Sequence, residues 1–385
     1  MTSCEVPRIQ ISDPGELIDT VPYLLGFHPR ESLVLIGFAG SLGSVDGSAP
    51  QRIQVTLRVD LPDQLPGSLE ASTLQPLSEV LRRADCAAMA AVLVTESVRG
   101  DPRQSAELLA CRDLLAASMD EAGIEVLDVL VATERRWWSL CCDEPGCCPA
   151  SGRERAPGCS AAAAQATFAG LVALPDRPAM AATLAGDSAE QRSELLPRLA
   201  AAEQRRAGVG PERAAEQRRD EVAGLLAAAA AFAAAAELAD PGMSEPRGEP
   251  EPRGEPGAGD QRVPAAGGQC STGATLAAEQ LAEHAVALTD PKVRDALWLA
   301  LDDGFLPISR LMEELHARVP VPYDAAPLFL FGWAQWRAGN ATLATMAAER
   351  VLQSQPGYSA AELLLTAAQR GVDPRAVPTL SQARR

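Results

Sequence analysis

The chain has 385 residues, 47% of them hydrophobic and 22% charged, with aromatics held to 4%. Its formal net charge of -17 and pI near 4.7 repel polyanions, which disfavours unspecific association with nucleic acid or an anionic membrane. At about 150 residues per domain the length predicts two domains, with cores that lean on Leu, Val and Ala.

Met1–Asp13 carries no basic segment leading into an apolar stretch, and no window approaches the ~20 apolar residues that span a bilayer. The Ala227–Ala236 run comes nearest, but Asp220, Glu221 and Glu237 flank it. A cytoplasmic location is expected, where the nine cysteines stay reduced and serve as buried thiols or metal ligands. Lys292 is the only lysine; with the long Ala runs we read this as the imprint of a GC-rich genome.

In chain order, Ser12-Asp13-Pro14-Gly15-Glu16 is a helix start: Asp13 caps, Pro14 takes the first helical position, and Glu16 stands where a capping box needs it. That helix should run to Gly26, bent at Pro22. Glu31–Phe38 (ESLVLIGF) is an apolar run of strand length and Arg52–Asp60 (RIQVTLRVD) alternates with period two, so the two read as a hairpin. A helix over 69–84 follows, then a buried strand at Ala87–Thr95, a helix from Asp101-Pro102 to Ala122, a strand at Ile124–Thr133 and a last one at Arg136–Cys141. Strands alternating with helices signal βαβ units. The expected fold class is α/β, with residues 1–150 forming a Rossmann-like, mostly parallel sheet that carries antiparallel additions at its ends.

Residues 151–240 hold only helix-compatible, alanine-rich sequence, broken by Pro175, Pro178, Pro197 and Pro211. Residues 241–272 turn to Pro, Gly, Glu and Arg, with EPRGEP in tandem at Glu245–Pro250 and Glu251–Pro256. Such a segment lacks the apolar side chains that offset ordering entropy and reads as a disordered linker. Residues 273–385 return to helices, at 276–288, 291–302, 308–317, 325–338, 342–353 and 360–370, with short turns that favour antiparallel neighbours. Leu328–Pro356 has the spacing of one tetratricopeptide unit at Gly332, Gly339, Ala344, Leu352 and Pro356, while its neighbours match poorly. An all-helical, partly tetratricopeptide-like domain is expected, with an ordinary helical hairpin as the plainer reading.

Val21–Pro29 (VPYLLGFHP), followed by Glu31–Gly37 (ESLVLIG), resembles the opening of the bacterial family called domain of unknown function 4192. Arg58–Pro62 (RVDLP), the run Arg136–Cys142 (RWWSLCC) with Pro145 and Cys147-Cys148-Pro149, and Phe331–Ala334 with Gly339-Asn340 resemble later blocks of it. Together they span nearly the whole chain apart from the linker. The resemblance implies no established activity, substrate or cofactor, and supplies no catalytic residues.

The densest chemistry lies in Cys141, Cys142, Cys147, Cys148 and Cys159, five thiols within nineteen residues at a strand end and its loop. Four soft ligands on a loop can meet the tetrahedral demand of Zn²⁺, and Cys142, Cys147, Cys148 and Cys159 are the candidate set. Against this stand the missing CxxC pairs and the divergence of adjacent side chains on extended backbone. A redox dithiol and small buried hydrophobes are the other readings. His28, between Phe27 and Pro29, is placed to bind a ligand or to cap a turn. Arg58 and Asp60 share a strand face, as an ion pair or as a cleft lining. Trp137 and Trp138 point to opposite sheet faces, and Trp138 joins His28, Arg58 and Asp60 as a ligand-binding candidate. Gly37, Gly40 and Gly43 lead into a second strand, not into the helix N-terminus that a phosphate site requires. Ala39–Gly43 likewise lacks the helix of a nucleophile elbow. Trp333 and Trp336, three apart on one helix, read as packing.

These features favour a non-enzymatic binding or interaction module, with a protein partner at the C-terminal helices, no nucleic acid and no membrane. The alternative is an enzyme or small-ligand binder with a cleft at the C-terminal strand edges of the α/β domain and a Cys-bound zinc. Beyond that zinc, the sequence leaves any cofactor unknown.

Overall fold

A computed structural model describes residues 9–39, 52–61, 70–210, 212–239 and 275–383. The turn that holds Gly40 and Gly43 and the expected 241–272 linker lie outside the described residues. The chain divides into two compact units, Met1–Gly186 with Gln335–Pro378, and Asp187–Ala334 with Thr379–Arg385.

In the first unit α1 (Pro14–Leu25) starts as its sequence dictates. The Asp13 carboxylate accepts the Glu16 N–H at 2.9 Å, the Glu16 carboxylate accepts the Ser12 N–H at 2.8 Å, and Gly26 closes the helix at φ 81°. Then come β1 (Ser32–Ala39), β2 (Arg52–Asp60), α2 (Ala71–Arg83) and β3 (Cys86–Val94). A 3-10 turn at Pro102–Gln104 and α3 (Ala106–Glu121) lead to β4 (Glu125–Ala132), β5 (Arg136–Ser139) and β6 (Arg153–Glu154). Helix α3 begins later than Asp101-Pro102 suggests, because Ser105 caps it while Asp101 caps the 3-10 turn.

The six-stranded sheet runs β2-β1-β3-β4-β5-β6. The fold is mixed α/β, but the sheet is mostly antiparallel, which corrects the expected Rossmann-like, mostly parallel arrangement: among the described strands only β3 and β4 are parallel neighbours. The reason is the place of β1. Both β2 and β3 run antiparallel to β1, so they are parallel to each other, and α2 is the crossover that the alternation of elements signals. β1 fills the space between them, and the two crossover strands never pair.

Leu33 and Leu35 of β1 pack with Met89, Ala91 and Leu93 of β3, under Leu81 of α2 and Leu115 of α3. Val34, Ile36, Val92 and Leu130 are as deeply buried on the other face. Burial on both faces explains the unbroken apolar text of β1 and β3, and each large aliphatic side chain contributes about 1.5–3 kcal/mol. Gly37 has no space for a side chain, since a Cβ there would lie 2.5 Å from Cys86 Sγ and 2.7 Å from Leu81 Cδ2.

Helices α4 (Ala161–Phe168) and α5 (Arg177–Thr183) also belong to the first unit. The second is built from α6 (Ala189–Ser193), α7 (Leu196–Ala207), α8 (Ala214–Ala239), α9 (Ala278–Leu288), α10 (Pro291–Asp302), α11 (Pro307–Arg318) and most of α12 (Ala325–Arg337). The first unit resumes with α13 (Ala341–Ser354), which packs along α14 (Ser359–Gln369). The boundary falls inside α12 after Ala334, so the two helices of the Leu328–Pro356 stretch belong for the most part to different units. Among the described residues no helix is long and apolar enough to cross a membrane.

Asp290 ties the second unit together. It caps α10 by accepting the Lys292 N–H at 2.9 Å, and takes Arg206 of α7 at 2.7 Å and Arg218 of α8 at 2.9 Å. Burial works to raise its pKa, but the bonds from Arg206, Lys292 and Arg218 outweigh burial and hold the carboxyl at about 2, below its ordinary 3.8. Nearby, Trp298 meets Phe329 and Trp333 edge-on at 4.9 Å, and Trp333 donates to Asp302 at 2.8 Å.

Two outcomes follow for stability. Gly37→Ala is expected to cost about 1–3 kcal/mol by overpacking, read as a lower urea midpoint with an unchanged slope. The Asp290 contacts stabilise the fold above about pH 4, and that stability is lost as the pH falls toward 2. Asp290→Asn should therefore be less stable than wild type by about 1 kcal/mol near neutral pH, after solvent screening. Urea unfolding across pH should show that gap closing in acid.

Candidate metal centre

The chain leaves β5 through a brace made by Ser139. Its hydroxyl donates to Asp128 of β4 at 2.6 Å and accepts the N–H groups of Cys141 at 3.1 Å and Cys142 at 3.0 Å. The loop that follows is clamped from outside. Arg103 donates to the carbonyls of Cys142 at 3.1 Å and Cys148 at 2.9 Å, while both Asp101 oxygens grip the same guanidinium at 3.0 and 2.9 Å. Arg153 of β6 donates to the Cys147 carbonyl at 2.7 Å, and the Glu144 carbonyl accepts the N–H groups of both Cys147 and Cys148, at 3.1 and 2.7 Å.

This backbone brings Cys142, Cys147 and Cys148 together, with their sulfurs all within 4.8 Å of one another. The Cys147 and Cys148 sulfurs are 3.8 Å apart. A tetrahedral ion with metal–sulfur bonds of ~2.3 Å sets its ligands about 3.8 Å apart, so the spacing suits Zn²⁺. The objection to adjacent cysteines fails because they sit in a turn, not on extended backbone, and both amides face one carbonyl. Cys159 is exposed and is not part of this group. The Glu144 N–H and then the Cys148 thiol hold the Cys142 thiol below its ordinary range, whereas burial, followed by the bonds to Cys142 and Cys147, pushes Cys148 up to about 12.

Trp138 lies beneath this loop. Its indole N–H donates to the Ala150 carbonyl at 3.1 Å, and Gly152, at φ 75°, approaches so closely that a Cβ would stand 2.4 Å from the ring. Trp138 is thus packed, and Trp137 is the member of the pair that faces a cleft. That cleft, of about 490 Å³, is lined by Asp13, Gly15, Asp19, Trp137, Arg153 and Arg155, among others. Arg155 and Asp19 form a buried pair there at 3.1 Å, and Arg155 also donates to the Thr133 carbonyl at the C-terminal end of β4.

Arg58 and Asp60 lie elsewhere, on β2. Arg58 pairs with Asp60, bonds the Ser32 hydroxyl at 2.9 Å and lies over the Phe27 ring at 5.7 Å. His28 is exposed; burial of part of its ring, then Arg155 and Arg30, lower its pKa. The strand that holds Arg58 and Asp60 is four inter-strand steps from β5, roughly 19 Å at ~4.8 Å per step. The structure therefore unites three of the four candidate thiols, and separates them from Arg58 and Asp60. Sequence reasoning missed Arg103 and Arg153, which act through backbone carbonyls, and Asp101, which acts through Arg103, so none of them follows a motif spacing.

Fold and loop together define a mixed α/β protein with a thiol-rich loop at the edge of its sheet. The chain belongs to the family described as Domain of unknown function (DUF4192), whose profile matches residues 14–375, nearly the whole chain. No curated protein matches it, and no solved structure does.

Arg103→Met should loosen the loop alone. Hydrogen exchange at the Cys147 and Cys148 amides is expected to speed up by more than about tenfold, with the amides of β1 unchanged.

Proposed function

We propose that this chain is a metal-dependent binding protein that takes up one Zn²⁺ through Cys142, Cys147 and Cys148 and leaves the fourth coordination position to an outside donor. The observation that carries this reading is the convergence of three sulfurs within 4.8 Å on a loop whose carbonyls are held by Arg103 and Arg153. Holding the backbone from outside lowers the ordering cost of binding, as supporting groups around metal ligands do.

Buried Cys148 would anchor the ion, and exposed Cys147 marks the side on which an incoming donor arrives. Three protein ligands and an open position distinguish such a centre from a closed structural one. Bound Zn²⁺ supplies a Lewis-acidic point of attachment. Arg103 offsets part of the negative charge that three thiolates bring. A binding role is favoured over catalysis because Arg58 and Asp60 lie across the sheet from the thiols.

Protein purified without chelator and dialysed against micromolar zinc is expected to carry one Zn²⁺ per chain by native mass spectrometry. Cys142→Ser and Cys148→Ser should each weaken binding by at least about 100-fold, and Arg103→Met by about 10- to 100-fold. Cys141→Ser and Cys159→Ser should leave it unchanged. Sub-stoichiometric metal in the wild type, or equal loss from Cys159→Ser, overturns the reading.

A further inference from the structure

The same loop brings the thiols close enough to react with one another, whether or not a metal binds. A disulfide needs sulfurs at about 2.05 Å, and those of Cys142, Cys147 and Cys148 already lie within 4.8 Å, so an approach of under about 3 Å closes a bond. Between Cys142 and Cys147 the chain is loosely packed at Gly146. At Gly146 an added Cβ would meet nothing nearer than Glu144 Oε1 at 3.9 Å.

Exposure and ring geometry select the partners. Cys147 is exposed and Cys142 half-buried, whereas Cys148 is buried. A bond between Cys147 and Cys148 would close a ring around their own peptide group and drive it from the planar trans form. Cys142 and Cys147 carry neither burden, since four residues separate them.

We propose that Cys142 and Cys147 are a hydroperoxide-sensitive pair, the site of a reversible disulfide that competes with metal uptake. The Cys142 sulfur attacks a peroxide oxygen, the O–O bond breaks, and the departing oxygen takes a proton and leaves as water. The sulfenic acid formed on Cys142 is then attacked by the Cys147 sulfur. The S–O bond breaks, the S–S bond forms, and a second water leaves with the proton that Cys147 gives up. Two thiols and one hydrogen peroxide thus yield one disulfide and two waters, with two electrons passing from sulfur to peroxide oxygen. Oxidation removes two of the three ligands that hold the metal in the preceding proposal.

The test uses the full chain, stripped of metal, treated with stoichiometric hydrogen peroxide, blocked with an alkylating agent and cleaved on the N-terminal side of Asp143. Wild type is expected to lose about 2 Da and to give two loop peptides joined through Cys142 and Cys147, with Cys148 alkylated. Cys148→Ser should behave like wild type, and Cys147→Ser should instead gain oxygen at Cys142. The proposal is overturned by a wild type that only gains oxygen, by a disulfide that includes Cys148, or by a Cys147→Ser variant that still loses 2 Da. A parallel arm with one equivalent of Zn²⁺ should oxidise more slowly. An unchanged rate there counts against the metal reading alone, because the metal-free arm does not depend on it.

Discussion

The guanidinium of Arg103 is the contact on which the thiol loop depends. A loop of this kind has many backbone polar groups and little apolar surface, so nothing in its own composition selects one conformation. Arg103 supplies the selection by joining the carbonyls of Cys142 and Cys148, two points six residues apart, to a single rigid fork held in turn by Asp101. Lysine in its place would offer a point charge without the fork. Arg153 completes the frame by taking the carbonyl of Cys147, and its guanidinium lies over the Trp137 ring at 5.8 Å. The loop and the cleft beside α1 therefore share a residue.

That frame in turn rests on the sheet. β1 and β3 are buried on both faces and fix β4 by parallel pairing. β4 then presents Asp128, whose carboxylate receives the Ser139 hydroxyl and so sets the exit of β5. Burial raises the pKa of Asp128, while the bonds it accepts pull the other way. The outer strands are short: four residues in β5 and two in β6. Short edge strands limit pairing with other chains, and here they also leave space for the loop that carries the thiols.

Much of this was legible in the sequence. The strand text of β1 and β2, the cap at Asp13, and the C-terminal helices follow from local patterns that tertiary contacts did not override. What local pattern does not encode is pairing order. ESLVLIGF reads the same whether its neighbours run parallel or antiparallel, so the insertion of β1 between β2 and β3 escaped the reading. The thiol loop was legible as composition, and three of its four proposed ligands do converge. Cys159 is near the others in sequence but not in the group of three, and adjacent side chains diverge on extended backbone, whereas Cys147-Cys148 lie in a turn. Arg58 and Asp60 share a strand face, as their period-two spacing requires, and pair there, but a face says nothing about distance to a loop on another strand.

The proposed metal site takes three cysteine sulfurs from one loop and leaves one position open. X-ray absorption at the zinc edge of the metal-loaded chain reads that shell at the ion itself. A first shell of three sulfurs at ~2.3 Å and one lighter donor at ~2.0–2.1 Å is expected. A shell made mainly of nitrogen and oxygen, or one of four sulfurs, would contradict it.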